Sequence, residues 1–294
     1  MITFTESDSQ TELNDVADDD AATPAETRAA FLARSKSGYT KLRRTFVQEP
    51  PTTGGSSRPG MLPNFKNNHR AAVLYLALIA NWPWLSREDE PLPAAAWIRF
   101  LTCEDPKALT WTPQSLSHAW GVLEDLKLII RPRKGRLINV MPRREDGMTD
   151  YKTPTGSERD SYMTIPNEFW MEEWHGRLSW PALAALLILT KETGLTPTTT
   201  LAIDRTMAWY GISRTSAEQG LTELRASGLV RSRDRRVKDV NASEGRRLTS
   251  EHTLLGNFST QSREALRIAA KVRVDRSASI AQRRKEADHE EEPS

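Results

Sequence analysis

The run Met207-Ala208-Trp209-Tyr210-Gly211-Ile212-Ser213-Arg214-Thr215 decides how this chain reads. It describes two helices joined by a tight turn. Gly211 supplies the left-handed backbone that such a turn needs, since it has no Cβ to clash. Ile212 is placed to plug the core beneath the turn, and Ser213 offers an oxygen to the unpaired N–H groups opening the next helix. Ala208 is small, so the following helix is expected to cross closely there. Ala217, Leu221 and Leu224 then recur at helical spacing as a buried stripe, Gly228 closes the helix, and Leu229-Val230 begins a strand. That spacing turns Arg214, Thr215, Glu218, Gln219 and Thr222 outward.

Upstream, Tyr162 to Ile165 reads as a short strand, and Pro166 starts a helix rich in aromatics (Phe169, Trp170, Trp174). Trp180 to Thr193 carries leucines at helical spacing and stops at Gly194, and Ile203 to Tyr210 forms the next helix. Sliding the chain on itself by about 101 residues produces a second copy of this arrangement. Thr112 to Leu116 falls on Ser213 to Ala217, Ala119-Trp120 on Gly220-Leu221, Leu123 on Leu224, and Leu128-Ile129 on Leu229-Val230. The matched positions are a helix cap, a buried face and the start of a strand. Arg70 to Ala80 mirrors the Trp180 helix, and a longer connection around Ser86 to Pro93 follows it. The expected organisation is an acidic tail, basic segment and linker at 1–60, a first unit at 61–144, a linker at 145–160, a second unit at 161–258, and a helix (Arg263 to Val272) with a charged tail at 259–294.

In the first copy, Thr112 is the cap and Pro113 occupies the first helical position. Its outward side chains are Gln114, Ser115, His118 and Ser117. Ile129 to Val140 then reads as a hairpin turning at Lys134-Gly135, with Arg131, Arg133, Lys134 and Arg136 around the tip. The corresponding hairpin of the second copy carries Arg231, Arg233, Arg235, Arg236 and Lys238, then Arg246-Arg247 before the returning strand Thr253-Leu254-Leu255.

The 207–215 turn with its continuation through Leu221, Leu224, Gly228 and Leu229-Val230 resembles the helix-turn-helix of winged-helix DNA-binding proteins. The resemblance covers most of residues 61–258, at motif level only from Ala208 to Val230. It implies a mainly α fold with small β-hairpins (α+β), made of two tandem winged helix-turn-helix domains with disordered tails. It also implies a partner, double-stranded DNA, read in the major groove by the helix at 214–227 and held at phosphates by basic wings. The residues it points to are Ser213, Arg214, Thr215, Gln219 and Thr222, Gln114, Ser115 and His118, and the wing residues Arg131, Arg133, Lys134, Arg136, Arg233, Arg235 and Arg236. A tandem pair is also the arrangement of many plasmid replication initiators. Three readings therefore stand open: a transcriptional regulator, a replication initiator of a plasmid or mobile element, and a winged-helix adaptor for protein contacts.

A single cysteine and no apolar run long enough to span a bilayer lead to the expectation of a cytoplasmic protein, and the winged-helix resemblance implies association with the nucleoid. The 294 residues hold 41 Lys and Arg against 39 Asp and Glu. This balance hides an asymmetry, since the first twenty residues carry seven carboxylates (Glu6, Asp8, Glu12, Asp15, Asp18, Asp19, Asp20) and no basic residue. Residues 1–24 are expected to be disordered, because few apolar side chains offset their chain entropy. The acidic tails are expected to temper nonspecific DNA binding or recruit a protein partner, and homodimerisation is left open. Cys103 is the only cysteine, which excludes a disulfide framework and a cysteine-based zinc site. There is no phosphate-cradling Gly-rich loop, the five histidines lack metal spacing, and Cys103 sits beside Glu104-Asp105 with no base. No enzyme activity, cofactor or metal is expected. The longest apolar runs, Ala71 to Trp82 and Trp180 to Leu189, are shorter than the roughly 20 residues that span a bilayer.

Overall fold

The computed structural model describes residues 21–51, 58–88, 90–134, 137–157 and 160–290, leaving aside the side chains of 133–138, 278 and 280–290. Helix α1 (Pro24–Ser35) opens on a capping box between Thr23 and Glu26 and ends at Lys36 in the left-handed region. Strand β1 (Tyr39–Arg43) and a short pair, β2 (Gln48–Glu49) with β3 (Arg58–Pro59), follow. Helices α2 (His69–Leu85), α3 (Ala94–Leu101) and α4 (Pro113–Asp125) lead into a hairpin. Its strands are β4 (Ile129–Ile130), β5 (Arg133–Lys134), β6 (Leu137–Ile138) and β7 (Met141–Pro142), with β4 paired to β7 and β5 to β6.

The second half runs from β8 (Tyr162–Pro166) through two single-turn helices, α5 (Glu168–Met171) and α6 (Trp174–Arg177), to α7 (Trp180–Glu192). Then come β9 (Thr198–Thr200), α8 (Thr206–Tyr210), α9 (Arg214–Ala226), and the long strands β10 (Val230–Lys238) and β11 (Arg246–Leu254). The three strands form one antiparallel sheet in the order β10-β11-β9. Helix α10 (Thr260–Glu290) ends the described chain. The class is α+β, mainly helical with small antiparallel sheets. Among the described residues, no helix is long and apolar enough to cross a membrane.

The expected division into units, linkers and appendages is redrawn by packing. One continuous apolar core runs from Phe31 to Phe258 and takes side chains from both halves. The basic segment, expected between an acidic tail and a linker outside the two units, lies inside it: Phe31, Leu32, Leu42, Phe46 and Val47 are buried. β1 pairs antiparallel with β8, so a strand from the amino-terminal segment completes the second half. Its last residue, Arg43, carries a buried guanidinium that donates to Glu145 Oε2 and to Asp160 Oδ1, each at 2.6 Å. Burial pushes the Glu145 carboxyl up, opposed by the Arg43 charge, and only a paired, hydrogen-bonded carboxylate is tolerated at such depth. The stretch 145–160 is therefore not a linker in its described part: Glu145 and Tyr151 are buried and Asp160 is anchored.

Aromatic rings hold the halves together. Trp180 meets Phe65 at 6.1 Å between centroids, and Trp170 meets Phe100 at 5.2 Å. Beside this seam His175 is fully buried, its Nε2 3.2 Å from Leu101 O and 3.4 Å from Cys103 Sγ. The helix expected from Pro166 is instead the end of β8 plus α5 and α6, interrupted at Glu173 in the left-handed region with φ 60°. α10 is far longer than the expected 263–272. Its root is fixed by Arg263, a buried side chain that donates to Phe258 O, Thr190 O and Thr193 O. These last two acceptors are carbonyls left unpaired where α7 ends.

Candidate nucleic-acid interface

The turn before α9 is built as its residues require. Gly211 has φ 67°, and its N–H returns to Met207 O at 3.0 Å. Ile212 is buried, and the Ser213 hydroxyl accepts from Ser216 N at 3.1 Å. Ala208, expected at the close crossing, is exposed instead. The close approach lies one helix later, where α9 crosses α7: a Cβ on Gly220 would stand 2.2 Å from Pro181 O. With Ala217, Leu221 and Leu224 buried on that contact, Arg214, Thr215, Glu218, Gln219 and Thr222 all emerge on the exposed face.

Two carboxylates occupy Arg214. Its Nε donates to Glu218 Oε1 and its Nη1 to Asp204 Oδ1, both at 2.9 Å and both on the surface. Asp204 was missed in the sequence, where nothing separates a surface aspartate ten positions upstream from any other. Thr222 donates to Glu218 O and accepts from Arg225 Nη2, so its hydroxyl is already engaged. Glu223 is withdrawn from the face altogether. It accepts from Ser179 N at 2.8 Å and Ser179 Oγ at 2.5 Å, at the amino-terminus of α7.

The same positions in the first half differ. Thr112 and Ser115 form a reciprocal capping box, Ser115 N donating to Thr112 Oγ1 at 3.1 Å and Thr112 N to Ser115 Oγ at 2.8 Å. Ser115 is thus half-buried and committed to the cap, a correction to its expected outward role. Gln114, Ser117 and His118 are exposed as expected. Arg131 is also corrected: it folds back on α4, its Nε donating to Glu124 Oε2 at 2.9 Å, rather than belonging to the hairpin tip. Arg133 and Lys134 lie on β5, with their side chains outside the description, and Arg136 lies outside the described residues.

The second hairpin is a nine-pair ladder from Val230↔Leu254 to Lys238↔Arg246. Side chains alternate between faces along a strand. Val230, Ser232 and their partners Leu254 and His252 face the body, since Val230, Leu254 and His252 are buried. Arg231, Arg233 and Arg235 share the opposite face with Arg247, whereas Arg236 lies on the first face with Lys238 and Arg246. The three arginines expected together are therefore split between faces, two and one. Seven basic residues stand in 230–254 against four acidic ones, and one acid, Glu251, takes Arg235 Nη1 at 2.9 Å. This leaves both faces of the ladder with a cationic surplus.

Cys103 and His175 form a separate contact inside the fold. Burial, then the Glu173 charge, pushes the Cys103 thiol up to about 12, while burial pulls the His175 imidazole down to about 4. Both are neutral near pH 7, so their contact is a hydrogen bond and not a thiolate–imidazolium pair. Among the described residues, no group of three or more His, Cys, Asp or Glu is placed to hold a metal ion. Comparison with protein-family models, with curated proteins and with solved structures finds no match to this chain.

Proposed function

We propose that the chain is a sequence-specific double-stranded DNA-binding protein of the winged helix-turn-helix kind, acting as a regulator of transcription. One observation carries the reading: the order α7-β9-α8-α9-β10-β11 with its β10-β11-β9 sheet. This is the helix–strand–helix–helix–hairpin plan of a winged helix, and it sets a capped helix with a polar outer face beside a long cationic hairpin. In this reading α9 enters the major groove with Arg214, Thr215 and Gln219 at base edges. The β10–β11 wing contacts phosphates, where each cation that neutralises one releases counterions. The first half supplies a second, less charged helix through Gln114 and His118.

Selection of bound sequences from a random duplex library tests it, with an enriched motif as the expected result. A single palindrome marks a regulator, and direct repeats mark a replication initiator. The adaptor reading is favoured by one feature, the pairing of Arg214 with two carboxylates, which DNA must displace. If no duplex binds above nonspecific background at moderate salt, the adaptor reading replaces the present one.

A further inference from the structure

Between the root of α10 and the carboxyl end of α1 lies a groove of about 1090 Å³. Tyr39, Tyr162, Ile268 and Val274 supply its apolar part, and Ile268 and Val274 are 56% and 67% exposed. Around them stand six cations, Lys36, Lys41, Arg267, Lys271, Arg273 and Arg276, and one carboxylate, Glu264, which already pairs with Arg267. The shape is held from both sides: Arg273 donates to Lys36 O at 2.8 Å, and the Lys41 ammonium stands 4.9 Å over the Tyr162 ring. Such a surface suits a ligand that is anionic and apolar at once.

We propose that its occupant is the amino-terminal segment of this same chain, residues 4–16. That stretch carries Glu6, Asp8, Glu12 and Asp15 with no cation, and interleaves them with Phe4, Leu13 and Val16. Length allows the return. α1 has 12 residues, a rise of about 18 Å, and the groove lies at its far end. About six extended residues are enough to cover that distance, so residues 4–16 are within reach of the groove. The acidic carboxyl end is a poorer match, because α10 continues as helix from the groove to Glu290 and carries its own end away from it. A second copy would oppose cation to cation. Duplex DNA would satisfy the cations but leave the tyrosine and aliphatic surface without a partner. The docking stands independently of the DNA-binding reading.

Zero-length carbodiimide coupling of the full chain, mapped by peptide mass spectrometry, tests it. Expected products join Glu6, Asp8, Glu12 or Asp15 to Lys36, Lys41 or Lys271 within one molecule. The couplings to Lys36 and Lys41 are lost in Lys271→Glu/Arg276→Glu, whose retained fold is checked by circular dichroism. Coupling to the hairpin lysines Lys134 or Lys238 instead, coupling only between isotopically distinct copies, or no coupling overturns the proposal. A second measurement uses fluorescent peptide 1–20 and a full chain whose seven amino-terminal carboxylates are replaced by amides. Peptide affinity is expected to fall about tenfold between about 0.05 and about 0.5 M salt, and again in the double charge reversal. If the reversal weakens binding of a DNA duplex while leaving peptide affinity unchanged, the groove is a DNA-backbone contact and the proposal fails.

Discussion

α4 and α9 are each thirteen residues long, begin 101 positions apart and open on a hydroxyl cap, yet they carry different equipment. α4 packs through Trp120, edge-on to Trp97 at 5.5 Å, and its cap consumes a second side chain, Ser115. α9 packs through Gly220 against the backbone of α7 and keeps its first turn open to solvent. The first hairpin pairs two residues at a time and gives up Arg131 to Glu124, whereas the second runs nine pairs outward with cations on both faces. A repeated pattern of cap, stripe and strand therefore specifies where a helix lies. What the helix can touch is decided by residues the pattern leaves unspecified.

The largest effect is expected where both halves share a support. Arg43→Ala leaves Glu145 buried without its cation, and urea unfolding should show a loss of about 3–5 kcal/mol; a loss under about 1 would mean the two halves do not depend on this junction. Gly220→Ala should cost about 1–3 kcal/mol by forcing α9 away from Pro181. Gly121→Ala on α4 meets nothing within 4 Å and should gain up to about 1 kcal/mol by helix propensity. Equal responses at the two glycines would erase the packing contrast.

Acid probes the seam between the halves. His175 is neutral in the fold, with its pKa lowered to about 4, and titrates near 6.5 when unfolded. The unfolded chain thus binds the extra proton first, so stability present above about pH 6.5 is lost as pH falls toward 4. At pH 5 the loss from this group is about 2 kcal/mol, and His175→Gln should flatten that part of the profile.

For the proposed DNA complex, Arg214→Ala should cost about 1–3 kcal/mol and relax base preference, while His118→Ala should cost less. An equal cost at both would give the two helices equal standing. The finest discriminator is the salt slope: Arg236→Ala should lower it by about one unit, and Arg131→Ala should leave it unchanged because Glu124 already holds that side chain. A lower slope for Arg131→Ala would return it to the hairpin's binding surface.

Local signals made the turn at 211–213 and both helix caps readable in the sequence, because φ, cap hydrogen bonds and apolar spacing act within a few residues. The outward set on α9 followed from that spacing. The β1–β8 pairing was hidden, since Tyr39 to Arg43 looks like any basic stretch until its partner, more than a hundred residues away, is known. Arg43, Glu145 and Arg263 carry no local signal of burial and are buried, because each finds acceptors or a donor only in the assembled fold. The close crossing was assigned to Ala208 when Gly220 makes it, for a glycine inside a helix looks like a weakness until the neighbouring helix is in place.

The β1–β8 pairing also sets an order of events on the ribosome. When Leu42, Phe46 and Val47 emerge, the strand beside them has no partner until residues 162–166 have been made, a wait on the order of ten seconds at ordinary elongation rates. Until then the first half presents an unpaired strand edge to solvent. Its maturation is therefore timed by synthesis of the second half, which makes this the interval when a truncated or stalled chain is most exposed to aggregation and chaperone capture.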